Sequence, residues 1–387
     1  MKLLKKLIPV ITAICLCSEN YCITNGVTYY LKGDITNDNS VDIFDTIYTQ
    51  QFLTGHVTAN GYTAERLDFN HDYIISVQDR IGLSQFNMSS QTPSTAQYLD
   101  PTALPVKSYR TYYVFDPITG NKISSKTYTL GTLYDTTNSS PETILGIDNR
   151  IAETSSGLSG VINVQTALGE SGGTAFVIDS HTMLTAAHLL KQGTKARGGL
   201  QFKAFNGSST PSSLSITPVE YHIPSIYMTS TSTVEKCKYD YAIVTVAENL
   251  EDYINFDLGV PRINIESNIV HTLYVTGYGG EGEGVNSSLI DIKSTGSGLL
   301  MSPPSNYDEF EICYSTDTAP GNSGSPAYII NSDNSKTVIG IHVRGENTVS
   351  KGDLLPHLGR NSATRITPDI LAFVYNNDHL ITDDMID

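Results

Sequence analysis

The sequence predicts a mostly β protein with a small helical unit near its N-terminus. Three observations predict this fold class. The 387 residues include 23 Tyr and no Trp, and they are rich in Ser, Thr and Asn, which is typical of short strands separated by turns. At roughly 150 residues per domain, the length allows two or three domains. An acidic loop followed by a helical pattern also occurs twice near the N-terminus.

The balance of charges excludes two classes of partner. Acidic residues outnumber basic residues 40 to 24, which gives a net charge of −16. Nucleic-acid binding requires a basic face for the phosphates, and electrostatic docking on an anionic membrane requires clustered cations. We therefore expect neither nucleic acid nor a membrane surface as the main partner, whereas an acidic chain suits cation binding.

Residues 1–22 have the layout of a secretory signal peptide. Lys2, Lys5 and Lys6 precede an apolar run over residues 7–17, which is too short to span a bilayer. The alternative is a buried N-terminal strand or helix. We expect the signal to be removed and the mature protein to be secreted and extracellular, with no membrane insertion afterwards.

Residues 34–45 and 68–79 are two acidic loops that repeat at an offset of 34 residues. Calcium takes six to eight oxygen ligands, which a twelve-residue loop supplies from alternating side chains and one backbone carbonyl. The predicted ligands are Asp34, Thr36, Asp38, Ser40, Asp42 and Asp45 in the first loop, and Asp68, Asn70, Asp72, Ile74, Ser76 and Asp79 in the second. Plain acidic surface turns are the alternative.

The segment 23–90 resembles a dockerin, the paired calcium-loop module that binds a cohesin domain on a cellulosome scaffold. In dockerins a single helix follows each loop and position 12 is Asp, as it is here at Asp45 and Asp79. The sequence departs from that pattern at position 6, where Asn39 and Tyr73 replace Gly. The resemblance implies Ca²⁺ in both loops, a cohesin partner, and association with a cellulosome or a cell surface.

Residues 91–142 are predicted to follow as a linker or prosegment. Their first part is polar, contains several Pro and lacks periodicity. Alternating runs at 107–115 and 122–130, separated by a turn at 116–121, predict a β-hairpin. Two interpretations stay open, which are a small prosegment and a spacer without activity.

Three later motifs supply the residue types of an activated serine. His188 follows Thr-Ala-Ala after an apolar strand, Asp240 opens a buried strand, and Ser323 lies within Gly-Asn-Ser-Gly-Ser-Pro. A serine hydroxyl needs an imidazole to take its proton, and that imidazole needs a carboxylate to orient it. The tetrahedral oxyanion needs two N–H donors, which we expect from the backbone of Gly321 and Ser323.

The order of these three residues, together with their motifs, resembles the chymotrypsin-like serine proteases. More narrowly, the chain resembles the glutamyl endopeptidases of Gram-positive bacteria, with further matching motifs at 143–150, 275–278 and 340–342. The resemblance implies a serine endopeptidase that acts on protein or peptide substrates and needs no catalytic cofactor.

The resemblance also implies a protease domain over residues 143–387 with a chymotrypsin-like double antiparallel β-barrel. Its expected parts are a first six-stranded barrel at about 143–255, a second at about 256–367, and a closing helix at about 368–378.

Substrate specificity has two readings. In the glutamyl endopeptidases, a histidine of the Gly-Ile-His strand and a Thr or Ser five residues before the nucleophile bind a P1 glutamate; the matching residues are His342 and Thr318. Regular alternation would place Arg344 on the same strand face as His342, where it would add positive potential. Asp317 favours the other reading, because trypsin-like enzymes carry a carboxylate for P1 Lys or Arg six residues before the nucleophile.

Glu142 is a candidate self-processing site. The similarity to the mature N-terminus of the glutamyl endopeptidases begins at Thr143, directly after this glutamate. Cleavage there would activate a zymogen, and it would detach the dockerin-like module.

A rival from another functional class is a catalytically silent component that binds peptides and attaches to a scaffold. The intact His-Asp-Ser set argues against it.

Overall fold

The structure is a computed structural model that describes residues 22–24, 27–89, 91–98, 104–107, 109–128, 150–152, 160–166, 171–205, 213–262, 271–280, 292–301, 309–345 and 361–375. The predicted signal peptide, except for its last residue, and the predicted processing site at Glu142 and Thr143 lie outside these residues.

The N-terminal module combines three helices with short strands. Its elements are β1 (Cys22–Thr24), β2 (Val27–Leu31), α1 (Ile43–Leu53), α2 (Gly61–Leu67), β3 (Ile74–Ile75), α3 (Val77–Asn87) and β4 (Thr95–Gln97). The first, second and fourth strands form a sheet in the order β1-β2-β4. The last three residues of each acidic loop are also the first three residues of a helix, α1 or α3.

The two acidic loops share one backbone design. Asp45 and Asp79 each close a loop and are also the third residue of the helix that follows. Each carboxylate accepts the backbone N–H of its helix N-cap, Asp42 or Ser76, at 2.8 Å, so a capping box joins loop to helix. Loop positions 4 and 6 are left-handed in both loops, with φ of +61° and +68° in the first and +60° and +67° in the second. The sharp turn therefore forms without the expected glycine.

The first barrel is an antiparallel sheet that closes on itself. The elements of this part of the chain are β5 (Thr111–Phe115), β6 (Lys122–Thr127), β7 (Ile151–Ala152), β8 (Val161–Gln165), β9 (Ser171–Asp179), β10 (Thr182–Thr185), α4 (Ala187–Leu190), β11 (Lys191–Gln192), β12 (Lys195–Ala196), β13 (Gln201–Phe205), β14 (Ser213–Ile216), β15 (Pro218–Pro224), α5 (Ser225–Thr229), α6 (Thr233–Lys238) and β16 (Ala242–Val246). The sheet order is β14-β13-β8-β9-β10-β16-β15-β5-β6. Only Thr217 separates β14 from β15, so these two act as one bent strand that closes a six-stranded barrel.

The second barrel also closes. Its elements are a 3₁₀ turn (Glu251–Tyr253), β17 (Asp257–Leu258), β18 (Val260–Pro261), β19 (Thr272–Gly279), β20 (Ile292–Met301), β21 (Glu311–Tyr314), β22 (Pro326–Ile330), β23 (Lys336–Arg344), β24 (Asn361–Arg365) and the C-terminal helix α7 (Pro368–Tyr375). The order is β17-β23-β22-β19-β20-β21-β24, and β24 pairs again with β23, which closes six strands into a barrel.

Two segments belong to other units than the sequence predicts. The hairpin β5–β6 lies in the predicted linker, yet β5 pairs with β15 and extends the sheet of the first barrel. It is therefore not a detached spacer. Strand β7 lies in the predicted first barrel but pairs with β20 of the second. Both differences come from long-range strand pairing, which local patterns do not encode.

The N-terminal module packs against the barrels at its second acidic loop. Strand β3 pairs with β18, which connects the barrels, and Ile75 belongs to the same buried apolar cluster as Leu258 and Val260. Arg262 is 2 % exposed and forms ion pairs with Asp68, at 2.8 Å, and with Glu65. These buried ion pairs add a specific contact to the strand pairing and the apolar cluster at the junction.

Among the described residues, no helix combines the length and apolarity needed to cross a bilayer.

Replacing Arg262 tests the importance of this junction. In Arg262→Ala the carboxylates of Glu65 and Asp68, both fully buried, lose their cation. We expect the free energy of unfolding to fall by about 3–5 kcal/mol, measured by urea denaturation. The matched control is Lys195→Ala, which removes an exposed cation that donates to Asn121 at 2.7 Å and should cost about 1 kcal/mol or less. Equal small losses in both variants would contradict a structural role for the Arg262 contacts.

Candidate active site

His188 lies in a short helix at the rim of the first barrel. The four residues of β10 are all buried and carry the chain through Ala186 into α4. The side chain of His188 is 32 % exposed, so one edge of its ring faces open space while the other faces the protein. This is the exposure that a proton-transfer group needs.

Asp240 is brought to His188 by strand pairing. It lies two residues before β16, and β16 pairs with β10 with Ala242 opposite Thr185. One carboxylate oxygen accepts the backbone N–H of His188 at 2.9 Å, and the other lies 2.9 Å from its Nδ1. Since an ionised carboxylate can only accept, Nδ1 carries the proton and Nε2 is the basic nitrogen.

The electrostatics keep Asp240 ionised. Burial alone would raise the pKa of the Asp240 carboxyl, but the charge and hydrogen bonds of His188, with a further contribution from Arg344, outweigh it and lower that pKa. The carboxylate therefore remains charged across the physiological range and favours the imidazolium that forms when His188 takes a proton.

Ser323 lies in the loop between β21 and β22, and the first barrel holds this loop. The Thr174 N–H of β9 donates to the Ser323 carbonyl at 2.8 Å, and the Thr174 hydroxyl donates to the Gly321 carbonyl at 3.0 Å. Within the loop, the Asn322 side-chain oxygen accepts from the Ala319 N–H at 2.7 Å. The nucleophile loop is thus fixed by Thr174 of the first barrel and by a hydrogen bond within the loop itself.

Two glycines let the nucleophile loop pack closely, Gly321 against the second barrel and Gly324 against the first. Gly321 has φ of +97°, and a Cβ there would lie 2.6 Å from the Tyr278 carbonyl oxygen. Gly324 has φ of +82°, and a Cβ there would lie 2.4 Å from the Thr185 hydroxyl. Only glycine fits either position. The second contact places the residue after Ser323 against the strand that leads to His188.

The predicted specificity residues are buried next to the nucleophile loop. His342 is fully buried on β23, and its Nδ1 is hydrogen-bonded to the Tyr314 hydroxyl. The Gly324 N–H donates to the His342 carbonyl at 2.7 Å, which ties β23 to the Ser323 loop. Within the described part of the chain, the buried Thr318 hydroxyl has no hydrogen-bond partner. Asp317 is 1 % exposed beside it.

Arg344 does not share the face of His342, and that prediction is wrong. A β-bulge lies between the two residues, so His342 stands opposite Ala363 and Arg344 opposite Ser362. Ala363 and Ser362 are neighbours on β24 and point to opposite faces. The guanidinium of Arg344 instead forms an ion pair with Glu311 at 3.1 Å.

Sequence reasoning missed three supporting residues. Arg150, 5 % exposed, donates to the Asn322 side-chain oxygen at 3.3 Å. Thr174 holds the Ser323 loop, and Tyr314 holds the His342 ring. None carries a local signature, because each acts on a partner more than 25 residues away in the sequence.

The calcium ligands stay a prediction. In the regions that the structure describes, no group of three or more His, Cys, Asp or Glu side chains is arranged to hold a metal ion. A calcium loop also uses amide, hydroxyl and backbone oxygens, which such a group does not include.

Comparison with known families decides the class. Residues 150–357, more than half of the chain, match the family described as Trypsin. The chain belongs to the trypsin family. Its matched region is a serine protease domain, and protein substrates follow from that class.

A solved structure described as "Structure of Glu endopeptidase in complex with MPD" is similar to this trypsin-family protein with 20 % identity and a TM-score of 0.43, covering 60 % of this chain and 98 % of that chain. No curated protein matches the chain.

Replacing the triad carboxylate tests the geometry of this site. In Asp240→Asn, the amide NH₂ would face Nδ1 and favour the tautomer with the proton on Nε2, which cannot accept a proton from serine. We expect kcat for peptide hydrolysis to fall about 10⁴-fold with an unchanged circular dichroism spectrum. Asp252→Asn, at an exposed aspartate, is the control and should retain full activity. Comparable activity of the two variants would contradict the assigned role.

Proposed function

We propose that this protein is a secreted serine endopeptidase that cleaves after glutamate through His188, Asp240 and Ser323. The observation that carries the proposal is the double contact of the Asp240 carboxylate with the backbone and ring of His188. The predicted signal peptide at 1–22 supports secretion.

The reaction follows from the roles of these side chains. Nε2 of His188 takes the Ser323 proton as the hydroxyl oxygen attacks the scissile carbonyl, and it returns that proton to the leaving amine. Asp240 stabilises the imidazolium in between. The backbone N–H groups of Gly321 and Ser323 stabilise the oxyanion. Water then hydrolyses the acyl-enzyme by the same proton transfers in reverse order.

Two donors support acidic specificity. A substrate carboxylate that enters a buried pocket needs several hydrogen bonds to replace its water. The Thr318 hydroxyl is buried without a partner in the described residues, and Tyr314 fixes the ring of His342. We assign Thr318 Oγ1 and His342 Nε2 as the donors to the P1 carboxylate. Since Arg344 is paired with Glu311, it is not part of this pocket.

Peptides that differ only at P1 test the specificity. We expect kcat/KM for P1 Glu to exceed that for P1 Arg by at least about 100-fold. His342→Ala should lower kcat/KM for P1 Glu by about 100-fold, which corresponds to the loss of a hydrogen bond to a charged group. The paired variant Asp317→Asn should leave Glu cleavage nearly unchanged.

Three other outcomes would replace this assignment. Cleavage after Lys or Arg that Asp317→Asn abolishes would establish the basic specificity. Cleavage after Glu that His342→Ala leaves unchanged would place the donors elsewhere. No cleavage of any peptide, with equal peptide binding by Ser323→Ala, would establish the silent binding component.

The N-terminal module is proposed as a dockerin-like calcium module that binds a cohesin. Ile43, Phe44 and Ile47 on α1 are 58 %, 62 % and 44 % exposed and form an apolar face that suits a protein partner. Gln78 is the residue of the second repeat that corresponds to Phe44. Its side-chain amide donates to Asp333 and Ser335 of the second barrel at 3.1 and 3.0 Å. The partner is therefore assigned to the first repeat.

The donor set of the loops fits calcium. Carboxylate, amide, hydroxyl and backbone oxygens alternate along each loop, which is what a hard cation takes. Burial and the charges of Asp68 and Asp72 raise the pKa of the Asp79 carboxyl well above its usual range, so a cation among them would relieve repulsion. Amide, hydroxyl and backbone ligands would complete a site that carboxylates alone do not form. When bound, calcium would supply charge neutralisation and hold the loop ends together.

Calorimetry with calcium tests the module. We expect two ions per chain and a higher Tm, since a ligand at 100 times its Kd adds about 2.7 kcal/mol for each site. Asp45→Asn should remove one site and Asp79→Asn the other. Asp252→Asn, at an exposed aspartate outside both loops, is the control. The absence of binding heat and of any Tm shift would refute the calcium assignment.

A further inference from the structure

We infer that the segment before the 129–149 region is a permanent subunit of the protease, so that a cut between Tyr128 and Arg150 leaves it bound as a second polypeptide. The inference holds whichever bond in that region is cut and whether or not the cut is autocatalytic. It reverses the expectation that processing detaches the module.

The first contact that carries this inference is strand pairing. Strand β5 pairs antiparallel with β15 over four residue pairs, from Phe115 opposite Tyr221 to Tyr112 opposite Pro224. Tyr112, Val114 and Phe115 are each 1 % exposed. Their apolar surface belongs to the main core of the protein, not to a core of the hairpin. Separation would expose that surface and break the β5–β15 ladder of the sheet.

The second contact is a buried cation beside the active site. Lys107 and Asp369 of α7 are both fully buried, with Nζ 3.6 Å from the carboxylate. The same Nζ lies 4.6 Å from the ring centre of Tyr241 and 5.6 Å from that of Tyr239. These two tyrosines flank Asp240 in the sequence. Loss of the N-terminal segment would leave Asp369 without its cation in an apolar setting, which strongly disfavours separation.

The third contact lies at the end of the segment. The ring of Tyr128 is 5.4 Å from that of Phe373 on α7, and its hydroxyl is 3.3 Å from the Tyr241 hydroxyl. Tyr112 reaches the same Phe373 ring at 5.3 Å. The N-terminal segment therefore connects α7 to the residues that follow Asp240. These contacts continue to Tyr128, the last described residue of the segment.

The helical module adds contacts with the second barrel and α7. Arg262 binds Glu65 and Asp68, and β3 pairs with β18. A Cβ on Gly55 would lie 2.3 Å from the Ala372 backbone, so the end of α1 lies directly on α7. The N-terminal segment is thus anchored on both barrels and on the C-terminal helix, and a single backbone cut removes none of these anchors.

A specific cut tests the inference. A recognition sequence for a site-specific protease is inserted between residues 129 and 149 of the full chain in the Ser323→Ala background, which excludes self-digestion. Complete cleavage is verified by denaturing electrophoresis. Size-exclusion chromatography with light scattering and native mass spectrometry then give the mass of the cut protein in calcium-containing buffer and in EDTA.

We expect one species with the mass of the uncut chain and equal amounts of both polypeptides in either buffer. Separate elution of the two polypeptides in either buffer would overturn the inference, because the β5 and Lys107 contacts that carry it lie outside the acidic loops. Val114→Asp, in the buried ladder, should lower the urea concentration at which the cut chains separate. Ile123→Asp, at a position 57 % exposed on β6, is the matched control and should leave it unchanged.

Discussion

The two hydrogen bonds that His188 donates to the Asp240 carboxylate are the constraint on which the rest of the structure depends. They require β10 and β16 to be adjacent, and the buried barrel core enforces that pairing. They also lie out of water, because Asp240 is only 3 % exposed. A buried charge is stabilised only where its partners are already in place. The rigidity of the first barrel therefore contributes directly to catalysis.

The second requirement is that two barrels meet at the nucleophile loop without a gap. Thr174 makes that connection by donating to two carbonyls of the loop, and Gly324 lets the loop approach β10 to backbone distance. The alignment of the serine with the imidazole therefore depends on the fit between the barrels as well as on the loop itself. The N-terminal segment stabilises the other side of the first barrel through Lys107 and Tyr128, so the support for Asp240 extends over much of the chain.

The sequence was informative wherever the functional residues lie in one contiguous motif. The Thr-Ala-Ala-His strand end and the Gly-Asn-Ser-Gly loop are local signatures, and the mostly β barrels and the serine protease class followed from them. The calcium function of the acidic loops stays a prediction. Three features escaped. A single-residue bulge after His342 moved Arg344 to the other face, and alternation cannot foresee a bulge. The hairpin β5–β6 was visible, but its pairing with β15 spans more than 100 residues. Arg262 looks like an ordinary surface cation until its contacts with Glu65 and Asp68 are seen.

The contact of Gln78 with the second barrel has a consequence for how the enzyme would be presented. Two similar repeats give a module two similar faces, and a partner could bind a free module of that kind in either of two orientations. Here the face of the second repeat contacts the second barrel through Gln78, and the face around Phe44 is exposed. A partner that binds this face would hold the catalytic cleft at one fixed angle. Neighbouring copies along a common support would then all orient their clefts in the same direction.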